Sequence, residues 1–349
     1  MSRVKLGDVA FERKESCKDD KEQYLIVGLE HLVSDQINLT AWSDDAETTF
    51  TKFFHKGDVL FGRRRAYLRK AVIAPFDGIC SGDITVISAI DGKILPELLP
   101  HIIQNEAFFD FAVGKSDGSL SPRVKWEKLE KYEFNLPTLD EQKKLAEVLW
   151  SMVETKEAYR DLLQKTDELV KSQFIEMFKG KGYTEKMGKE LFKFSSGKFL
   201  SEEKRLETGI PVYGGNGIAW YTDESLIDFD TIVIGRVGAY CGNVRLVKGY
   251  KWITDNAIYI AKFKTDDFVL EFLTALMTIL DFHQYAGTAA QPKITQKPLE
   301  EQLYVVPPKE EQVRFAEFVK QSDKSKFALQ QALDALNRTY KKIIAENLG

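Results

Sequence analysis

The sequence has few of the residues that build metal, redox or secreted proteins. Its 349 residues include three cysteines, Cys17, Cys80 and Cys241, which by number and spacing give neither a disulfide framework nor a metal pattern. The apolar runs fall well short of the roughly 18 residues that cross a bilayer, and residues 1–16 contain no apolar signal segment. These absences indicate a cytoplasmic protein with buried or incidental thiols.

Catalytic motifs are missing as well. The histidines form no His-Glu-x-x-His pattern, and there is no Gly-x-x-x-x-Gly-Lys-Ser/Thr loop for ATP. The glycine-rich residues 214–217 lack dinucleotide spacing and predict a tight turn. Because Val306 precedes Pro307-Pro308, the Asn/Asp-Pro-Pro-aromatic motif of amino-methyltransferases is absent. Together these absences favour a binding protein without catalytic, cofactor-binding or metal-binding residues of its own.

Net charge is also small. The 49 basic side chains are balanced by 53 acidic ones, which gives a net charge of −4. A small DNA-binding domain usually carries a basic excess. Two interpretations stay open: the protein does not bind nucleic acid, or it binds through a local basic face while acidic surface lies elsewhere.

What the chain does contain is an internal repeat. Residues 122–142 recur as residues 292–312 at a constant shift of 170, and residues 62–67 align with 235–240 at a shift of 173. The change of register falls in a loop, where insertions are tolerated. Two similar halves can present two similar surfaces, for which duplex DNA with two half-sites is a natural target.

Each repeat predicts a strand-rich half and then helices. Short β-branched runs bounded by Gly, Asp and Pro mark the strands, and helical stretches are expected around residues 95–113 and 267–286. The strand-like runs are 58–61, 70–76 and 84–90 in the first copy, and 231–235, 243–249 and 256–263 in the second.

A long amphipathic helix is expected to close each repeat. Thr138 and Glu141 have the spacing of a capping box, and apolar residues then recur every three or four positions for about 40 residues. A single helix of this kind needs a partner, and the obvious partner is the other copy. The predicted fold is α+β: two similar strand-rich domains separated by two long antiparallel helices that form a coiled coil, as a pseudo-twofold internal repeat.

The order of short motifs in each repeat resembles the specificity subunit of type I restriction-modification systems. Each copy of the motifs begins with a Gly-Ser/Thr segment, which a first Pro follows closely. A second Pro comes 15 residues after the first, and Glu-Gln then stands at the head of the long helix. The matching positions are Gly118-Ser119, Pro122, Pro137 and Glu141-Gln142, then Gly287-Thr288, Pro292, Pro307 and Glu311-Gln312. The chain departs from the pattern in being short and in lacking a Ser/Thr cap on the second helix.

The resemblance implies a function. Residues 1–137 and 181–306 would be target recognition domains that each read half of a split site in double-stranded DNA, and residues 138–180 and 307–349 would be spacer helices. The helices would dock methyltransferase subunits, two per chain, and restriction subunits would complete a cleaving complex. S-adenosylmethionine, ATP and Mg²⁺ would belong to those partners, and this chain would not be an enzyme or bind a membrane.

Two sets of residues are candidates for DNA contact. Arginine can bond guanine or grip phosphate, and Asn suits adenine. The first set follows the matched strand and comprises Arg63, Arg64, Arg65, Tyr67, Arg69 and Lys70, with Arg236, Tyr240, Asn243 and Arg245. The alternative for this set is a solvated turn with its Tyr packed in the core.

The second set lies around the first Pro of each repeat, where small hydroxyl and basic side chains suit phosphates and base edges. It comprises Lys115, Ser116, Ser119, Ser121, Arg123 and Lys125, with Thr288, Gln291, Lys293, Thr295 and Gln296. The alternative here is ordinary turn chemistry at the junction with the helix.

Other functions compete with DNA recognition. A non-enzymatic coiled-coil scaffold would explain the helices and the acidic balance but not the duplicated strand-rich domains. A stand-alone DNA-binding protein of the same architecture, or a self-sufficient methyltransferase, are further alternatives. Methyl transfer to DNA by the isolated chain would reveal the last of these.

Replacing Arg63, Arg64 and Arg65 together with Ala is expected to weaken binding to one half-site and to leave the helical pair folded. The measurement is a titration with cognate DNA at controlled salt concentration, because phosphate contacts make affinity depend on salt. Unchanged affinity would contradict this placement of the DNA-binding surface.

Overall fold

The computed structural model describes residues 2–17, 21–44, 47–287 and 292–349, and the chain in it forms two compact units. Unit 1 comprises Met1–Asp161 with Leu329–Gly349, and unit 2 comprises Leu162–Ala328. None of the helices in the described ranges combines the length and apolar character needed to cross a membrane.

Among its described residues, unit 1 has nine strands, four short helices and parts of two long ones. Its strands are β1 (Ser2–Lys5), β2 (Ala10–Glu12), β3 (Leu25–Val27), β4 (Lys52–Phe54), β5 (Val59–Gly62), β6 (Ala71–Ile73), β7 (Gly78–Cys80), β8 (Ile84–Ala89) and β9 (Glu133–Leu136). Its helices are α1 (Leu6–Val9), α2 (Leu99–Ile103), α3 (Glu106–Gly114), α4 (Trp126–Leu129) and the first part of α5 (Leu139–Phe178).

Unit 2 repeats this order. Its strands are β10 (Thr184–Met187), β11 (Phe192–Ser196), β12 (Ile210–Gly214), β13 (Gly217–Thr222), β14 (Thr231–Gly235), β15 (Val244–Val247), β16 (Trp252–Ile253), β17 (Ala257–Phe263) and β18 (Leu303–Val306). Its helices are the last part of α5, then α6 (Gly188–Leu191), α7 (Leu270–Ile279), α8 (Gln296–Glu301) and the first part of α9 (Lys309–Leu348), whose remainder belongs to unit 1.

The main sheet has the same topology in both units. Its strand order is β2-β8-β5-β6 in unit 1 and β11-β17-β14-β15 in unit 2, and every pair is antiparallel. A two-stranded antiparallel ribbon, β1-β9 or β10-β18, accompanies each main sheet. The α+β class and the internal repeat are therefore confirmed, as are the strand-like runs in each half.

The smaller three-stranded sheet differs between the repeats. Its order is β3-β7-β4 in unit 1 and β13-β12-β16 in unit 2. The parallel pair β3-β7 matches the parallel pair β12-β16, but the third strand joins opposite members of that pair. The glycine-rich residues 214–217 close the β12-β13 hairpin, which confirms the predicted tight turn.

The central strands are apolar throughout because both faces of the main sheet are buried. In β5, Val59 and Phe61 pack with the helices, whereas Leu60 faces the cluster of the small sheet. In β14, Ile232 and Ile234 likewise face the helices. Alternate residues of a strand point to opposite faces, so burial on both sides requires an uninterrupted apolar run.

The helical stretch expected around residues 95–113 is broken in the structure. Helix α2 ends at Ile103, and Asn105 adopts an extended conformation in which its side-chain oxygen accepts a hydrogen bond from the Ala107 amide. Asn is a favoured N-cap, so this residue starts a new helix, α3. In unit 2, α7 ends at Ile279, and Asp281 follows with φ +50°.

Each unit packs a part of α5 against a part of α9. In unit 1, Leu149 near the start of α5 shares a core cluster with Ile344 near the end of α9. In unit 2, the ring of Phe174 near the end of α5 lies 5.7 Å from that of Phe315 near the start of α9. Early residues of one helix thus meet late residues of the other in both units, which is the order of an antiparallel pair.

Unit 1 adds a buried polar contact to this packing. Tyr340 of α9 is hydrogen-bonded to Nδ1 of His101 at 2.7 Å, and the Lys156 ammonium of α5 lies 3.9 Å from the Tyr340 ring centroid. Burial lowers the pKa of His101 to about 3 and that of Lys156 to about 8. The imidazole is therefore neutral at pH 7, as its burial requires.

The glutamine of each Glu-Gln pair fastens the helix head to its domain. Gln142 is 2% exposed; its Nε2 donates to the Pro137 carbonyl at 3.0 Å and its Oε1 accepts from the Leu95 amide at 2.9 Å. Gln312 makes the same contacts with the Pro307 carbonyl and the Val269 amide, each at 2.8 Å. The repeated motif thus joins the long helix to the loop that leads into α2 or α7.

At the head of α5, the carboxylate of Glu141 accepts from the amide and the hydroxyl of Thr138, at 2.9 and 3.0 Å. A capping box has two hydrogen bonds, and the structure contains the one in which the Glu141 carboxylate accepts from the backbone amide of the cap residue, Thr138.

Replacing Gln142 with Ala is expected to lower the free energy of unfolding by about 1–3 kcal/mol, because a buried amide and a buried carbonyl lose their partner. Urea unfolding measures the change. The control is Gln164→Ala on the exposed face of the same helix, where the lost contact to Glu168 is worth only about 0.3 kcal/mol. Equal effects of the two substitutions would contradict a fastening role.

Candidate nucleic-acid interface

The first candidate set lies on a tight turn after the central strand of each unit. In unit 1 a 3₁₀ turn, Ala66–Leu68, follows β5, and the Gly62 amide donates to the Lys70 carbonyl at 2.9 Å. In unit 2 the 3₁₀ turn Gly238–Tyr240 follows β14, and the Gly235 amide donates to Asn243 at 2.8 Å. The same backbone reversal therefore presents both segments.

The backbone of this turn explains one difference between the repeats. Arg65 has φ +55°, and Gly238 at the equivalent position has φ +75°. Glycine adopts this left-handed region without strain, whereas Arg65 must accept a cost of about 1–2 kcal/mol. Arg65 is exposed and its backbone is held in place, since its amide donates to the Pro122 carbonyl at 2.7 Å.

The structure brings the two candidate sets together in both units. In unit 1 the Arg65 amide donates to Pro122 and the Val124 amide donates to Arg63 at 3.0 Å. In unit 2 the Gly238 amide donates to Pro292 at 3.0 Å and the Ile294 amide donates to Arg236 at 2.9 Å. We call this paired backbone the turn–loop frame: residues 62–70 with 121–125 in unit 1, and 235–243 with 292–296 in unit 2.

Two tyrosines project from equivalent places on the frame. Tyr67 is 53% exposed and Tyr240 is 47% exposed, so neither is the core residue of the alternative interpretation. An exposed aromatic ring beside basic side chains can stack on bases or sugars. Both tyrosines are therefore available for the contact that the sequence suggests.

An ion cluster organises the basic side chains of the unit 1 frame. Arg123 holds Asp83 with two contacts, Nε to Oδ1 at 2.7 Å and Nη2 to Oδ2 at 3.2 Å, and Arg64 Nη1 lies 3.4 Å from Oδ2. The Nε of Arg64 donates to the Ser121 hydroxyl at 2.6 Å. The hydrogen bond from Arg123 holds the pKa of Asp83 below its ordinary value of 3.8, so the carboxylate is charged at neutral pH.

Other candidates in unit 1 are occupied by intramolecular contacts. Arg69 pairs with Glu106 at 3.2 Å and with Asp110 at 3.6 Å, and the ammonium of Lys70 donates to the Leu29 carbonyl at 2.8 Å. The hydroxyl of Ser116 donates to Ala112. These contacts give the three side chains a role in holding the turn and α3.

Ser119, just before the frame, and Lys125, at the N-cap of α4, are both exposed. Lys115 lies 5.7 Å from the Phe111 ring centroid. The loop thus keeps three polar side chains at the surface beside the cluster.

The candidates of unit 2 are spread over the same frame. Arg236 Nη1 donates to the Asp255 carbonyl at 3.2 Å, and Gln296 Nε2 donates to Ser196 at 3.4 Å. The other members are exposed: Asn243, Arg245, Lys293 and Thr295. Thr288 and Gln291 lie outside the described residues.

Arg63 and Arg236 share an unusual environment. The Nε of each is shielded from solvent, and no hydrogen-bond partner for it exists within the described parts of the chain. They occupy equivalent positions, and each carbonyl accepts from the loop after the frame Pro. Because both repeats have this arginine, we expect it to make a contact that does not distinguish the two units.

Sequence reasoning missed Asp83. At the shift of 173 that relates residues 62–67 to 235–240, residues 81–87 fall on residues 254–260, and Asn256 lies opposite Asp83. A carboxylate in one repeat opposite an amide in the other was the signal that could have found it. Within the described ranges, no three His, Cys, Asp or Glu side chains gather as a metal site would require.

Comparison with known families shows which family this chain belongs to. The family model for the type I restriction modification DNA specificity domain matches the chain twice, at residues 2–165 and 181–337. The chain belongs to this family. Each match covers one frame and most of the long helix that follows it.

A curated relative agrees with this assignment. The type I restriction enzyme EcoprrI specificity subunit of Escherichia coli is 32% identical over 139 residues, which is 38% of this chain and 34% of that subunit. The match therefore spans about a third of the curated relative.

Solved structures show the same fold. The type I restriction-modification S subunit from M. genitalium has a TM-score of 0.61 at 16% identity, covering 98% of this chain and 94% of that one. A chain from a structure on complex assembly and conformational transition of the type I R-M system has a TM-score of 0.58 at 18% identity, covering 99% and 97%.

Replacing Gly235 with Ala is expected to distort the unit 2 frame. An added Cβ would lie 2.1 Å from the Tyr240 carbonyl oxygen and 2.9 Å from that of Gly215, so the backbone must move. The expected loss is about 1–3 kcal/mol in urea unfolding.

The matched control is Gly287→Ala, whose added Cβ meets no atom of the described residues within 4 Å and should leave stability nearly unchanged. Gly62→Ala should have an intermediate effect, because its nearest atoms are 3.2 Å away. The loss of stability should therefore be largest for Gly235→Ala, smaller for Gly62→Ala and smallest for Gly287→Ala. A Gly235→Ala protein as stable as the Gly287→Ala control would contradict this order.

Proposed function

We propose that this chain is the DNA sequence-recognition subunit of a type I restriction-modification complex and that it reads a bipartite site with one unit per half-site. The observation that supports the proposal best is the turn–loop frame, which the chain builds twice with different side chains. Arg64, Arg65 and Asp83 in unit 1 stand where unit 2 has Val237, Gly238 and Asn256. A repeated frame with changed side chains suits two half-sites of different sequence.

The backbone of the frame supports this division of roles. Its hydrogen bonds join main-chain atoms, so the side chains at the surface can change without loss of the frame. Two polar side chains are common to both frames: the exposed Tyr67 or Tyr240 and the half-buried Arg63 or Arg236. They suit phosphate, sugar and stacking contacts, which carry no sequence information. The side chains that differ are then the ones available for base edges.

We further propose that the long helices dock methyltransferase subunits, two per chain, with restriction subunits joining where the system cleaves DNA. Both helices expose apolar side chains besides those buried in the units. They are Leu139, Val148, Leu162, Leu169 and Ile175 on α5, and Val313 and Phe327 on α9. Leu162 and Leu169 are seven positions apart and therefore lie on the same face of α5, as the apolar side chains of a docking surface would.

In this proposal the chain is not itself an enzyme. S-adenosylmethionine, ATP and Mg²⁺ belong to the partner subunits, and the chain supplies the DNA sequence and the docking surface. Since the target is genomic DNA, the complex acts in the cytoplasm. The domain boundaries at residues 137, 180 and 306 are part of the same proposal.

A selection experiment tests the proposed function. The full chain, assembled with its methyltransferase subunits, is incubated with random-sequence duplexes, and the bound duplexes are enriched and sequenced. The expected result is two specified blocks separated by a spacer of constant length and free sequence. A single continuous block, or no enrichment at all, would reject bipartite recognition; no enrichment together with intact assembly favours the coiled-coil scaffold.

A further inference from the structure

The cluster around Asp83 has no counterpart in unit 2. The frame positions equivalent to Arg64, Asp83 and Arg123 are Val237, Asn256 and Lys293. The backbone contacts of the two frames are nevertheless the same, down to the amide of Arg63 or Arg236 donating to the carbonyl of residue 83 or 256 at 3.0 and 2.9 Å. The frame therefore does not need the carboxylate, and another reason must be sought for it.

A carboxylate is costly on a surface that meets DNA. It repels phosphates and cancels part of the basic charge that gives affinity. Asp83 lies beside two exposed guanidinium groups, and its side chain is itself 21% exposed. A carboxylate at this place is expected to lower affinity for any duplex, so a reason other than affinity is needed for it.

What Asp83 contributes is orientation. An exposed arginine samples many rotamers and loses that freedom on binding. Asp83 uses Nε and Nη2 of Arg123 and one nitrogen of Arg64, and Ser121 uses the Nε of Arg64. Each guanidinium has further N–H donors that these contacts do not use, since arginine has five. The two arginines are thus held in place before DNA arrives.

Resting on the proposed function, we infer that Asp83 is a positioning residue that orients Arg64 and Arg123 to read guanine in the half-site bound by unit 1. Guanine offers O6 and N7 as adjacent acceptors in the major groove, which a guanidinium can contact with two hydrogen bonds. Unit 2 lacks both the carboxylate and this pair of arginines, so its half-site is read by other means.

The test compares Asp83→Asn with the matched variant Asn256→Asp, each in the full chain assembled with methyltransferase subunits. Asn keeps the size of Asp83 but carries no charge to hold two guanidinium groups. Asp83→Asn is expected to lose roughly tenfold or more in discrimination at G·C pairs of one half-site. Its affinity for unrelated duplex should be unchanged or higher, because a negative charge is removed.

The matched variant should show the reverse pattern. Asn256→Asp adds a carboxylate without arginines to orient, so it should weaken binding to all duplexes and leave base preferences in both half-sites unchanged. Duplexes with 7-deazaguanine, which lacks the N7 acceptor, complete the test. They should weaken binding by the wild-type chain and have little effect on Asp83→Asn, because that contact is already lost.

Several results would overturn the inference. One is a selected site in which neither half contains a G·C pair; another is an Asp83→Asn protein with wild-type preferences in both halves. A third is loss of all affinity for one half-site together with a lower melting temperature, which would show a merely structural role. Failure of the proposed function is distinguishable, because then the wild-type chain itself selects no bipartite sequence.

Discussion

Two backbone hydrogen bonds in each unit join segments that lie about 60 residues apart in the sequence, and the candidate interface depends on them. Arg65 to Pro122 and Val124 to Arg63 do this in unit 1, and Gly238 to Pro292 and Ile294 to Arg236 do it in unit 2. Because only main-chain atoms take part, the contact places no demand on most side chains. Proline is compatible with this position in both repeats, since its carbonyl is the acceptor and its missing amide is not needed as a donor.

The frame is supported by buried elements beneath it. Each turn leaves the end of a central strand whose residues are buried on both faces, and each loop leads into a short helix packed on the same core. The buried glutamines at the heads of α5 and α9 join the long helices to the domains, because each side-chain amide bonds two backbone groups, one amide and one carbonyl. Side chains presented on such a base keep their geometry better than side chains on a free loop.

Much of this architecture could be predicted from the sequence, because it depends on local patterns. The β-branched runs gave the central strands, the sustained apolar period gave two 40-residue helices, and the constant shift gave the repeat. The capping role of Asn105 and the different edge of the small sheet could not be predicted in this way. The cap depends on which of several polar residues precedes the first turn of α3. The edge of the small sheet depends on a pairing between strands that are distant in the sequence.

The candidate site was predictable in its location but not in its internal contacts. The repeat pointed to both segments of the frame, yet nothing local indicated that they pair. Arg69 and Lys70 read as free basic residues until Glu106, Asp110 and Leu29 are seen to hold them. Asp83 was overlooked because a lone acidic residue in a strand-like segment has no pattern of its own. The small net charge is explained in part by such pairs, which use acidic residues to hold basic ones.

The central claim is that each unit contacts its own half-site, and photo-crosslinking tests it most directly. A photoreactive amino acid is placed at Tyr67 or at Tyr240, and the full chain with its methyltransferase subunits is bound to a selected duplex in which either half carries a label. The account predicts that residue 67 crosslinks to one half-site and residue 240 to the other. Crosslinking of both residues to the same half, or of neither to any part of the specified sequence, would contradict it.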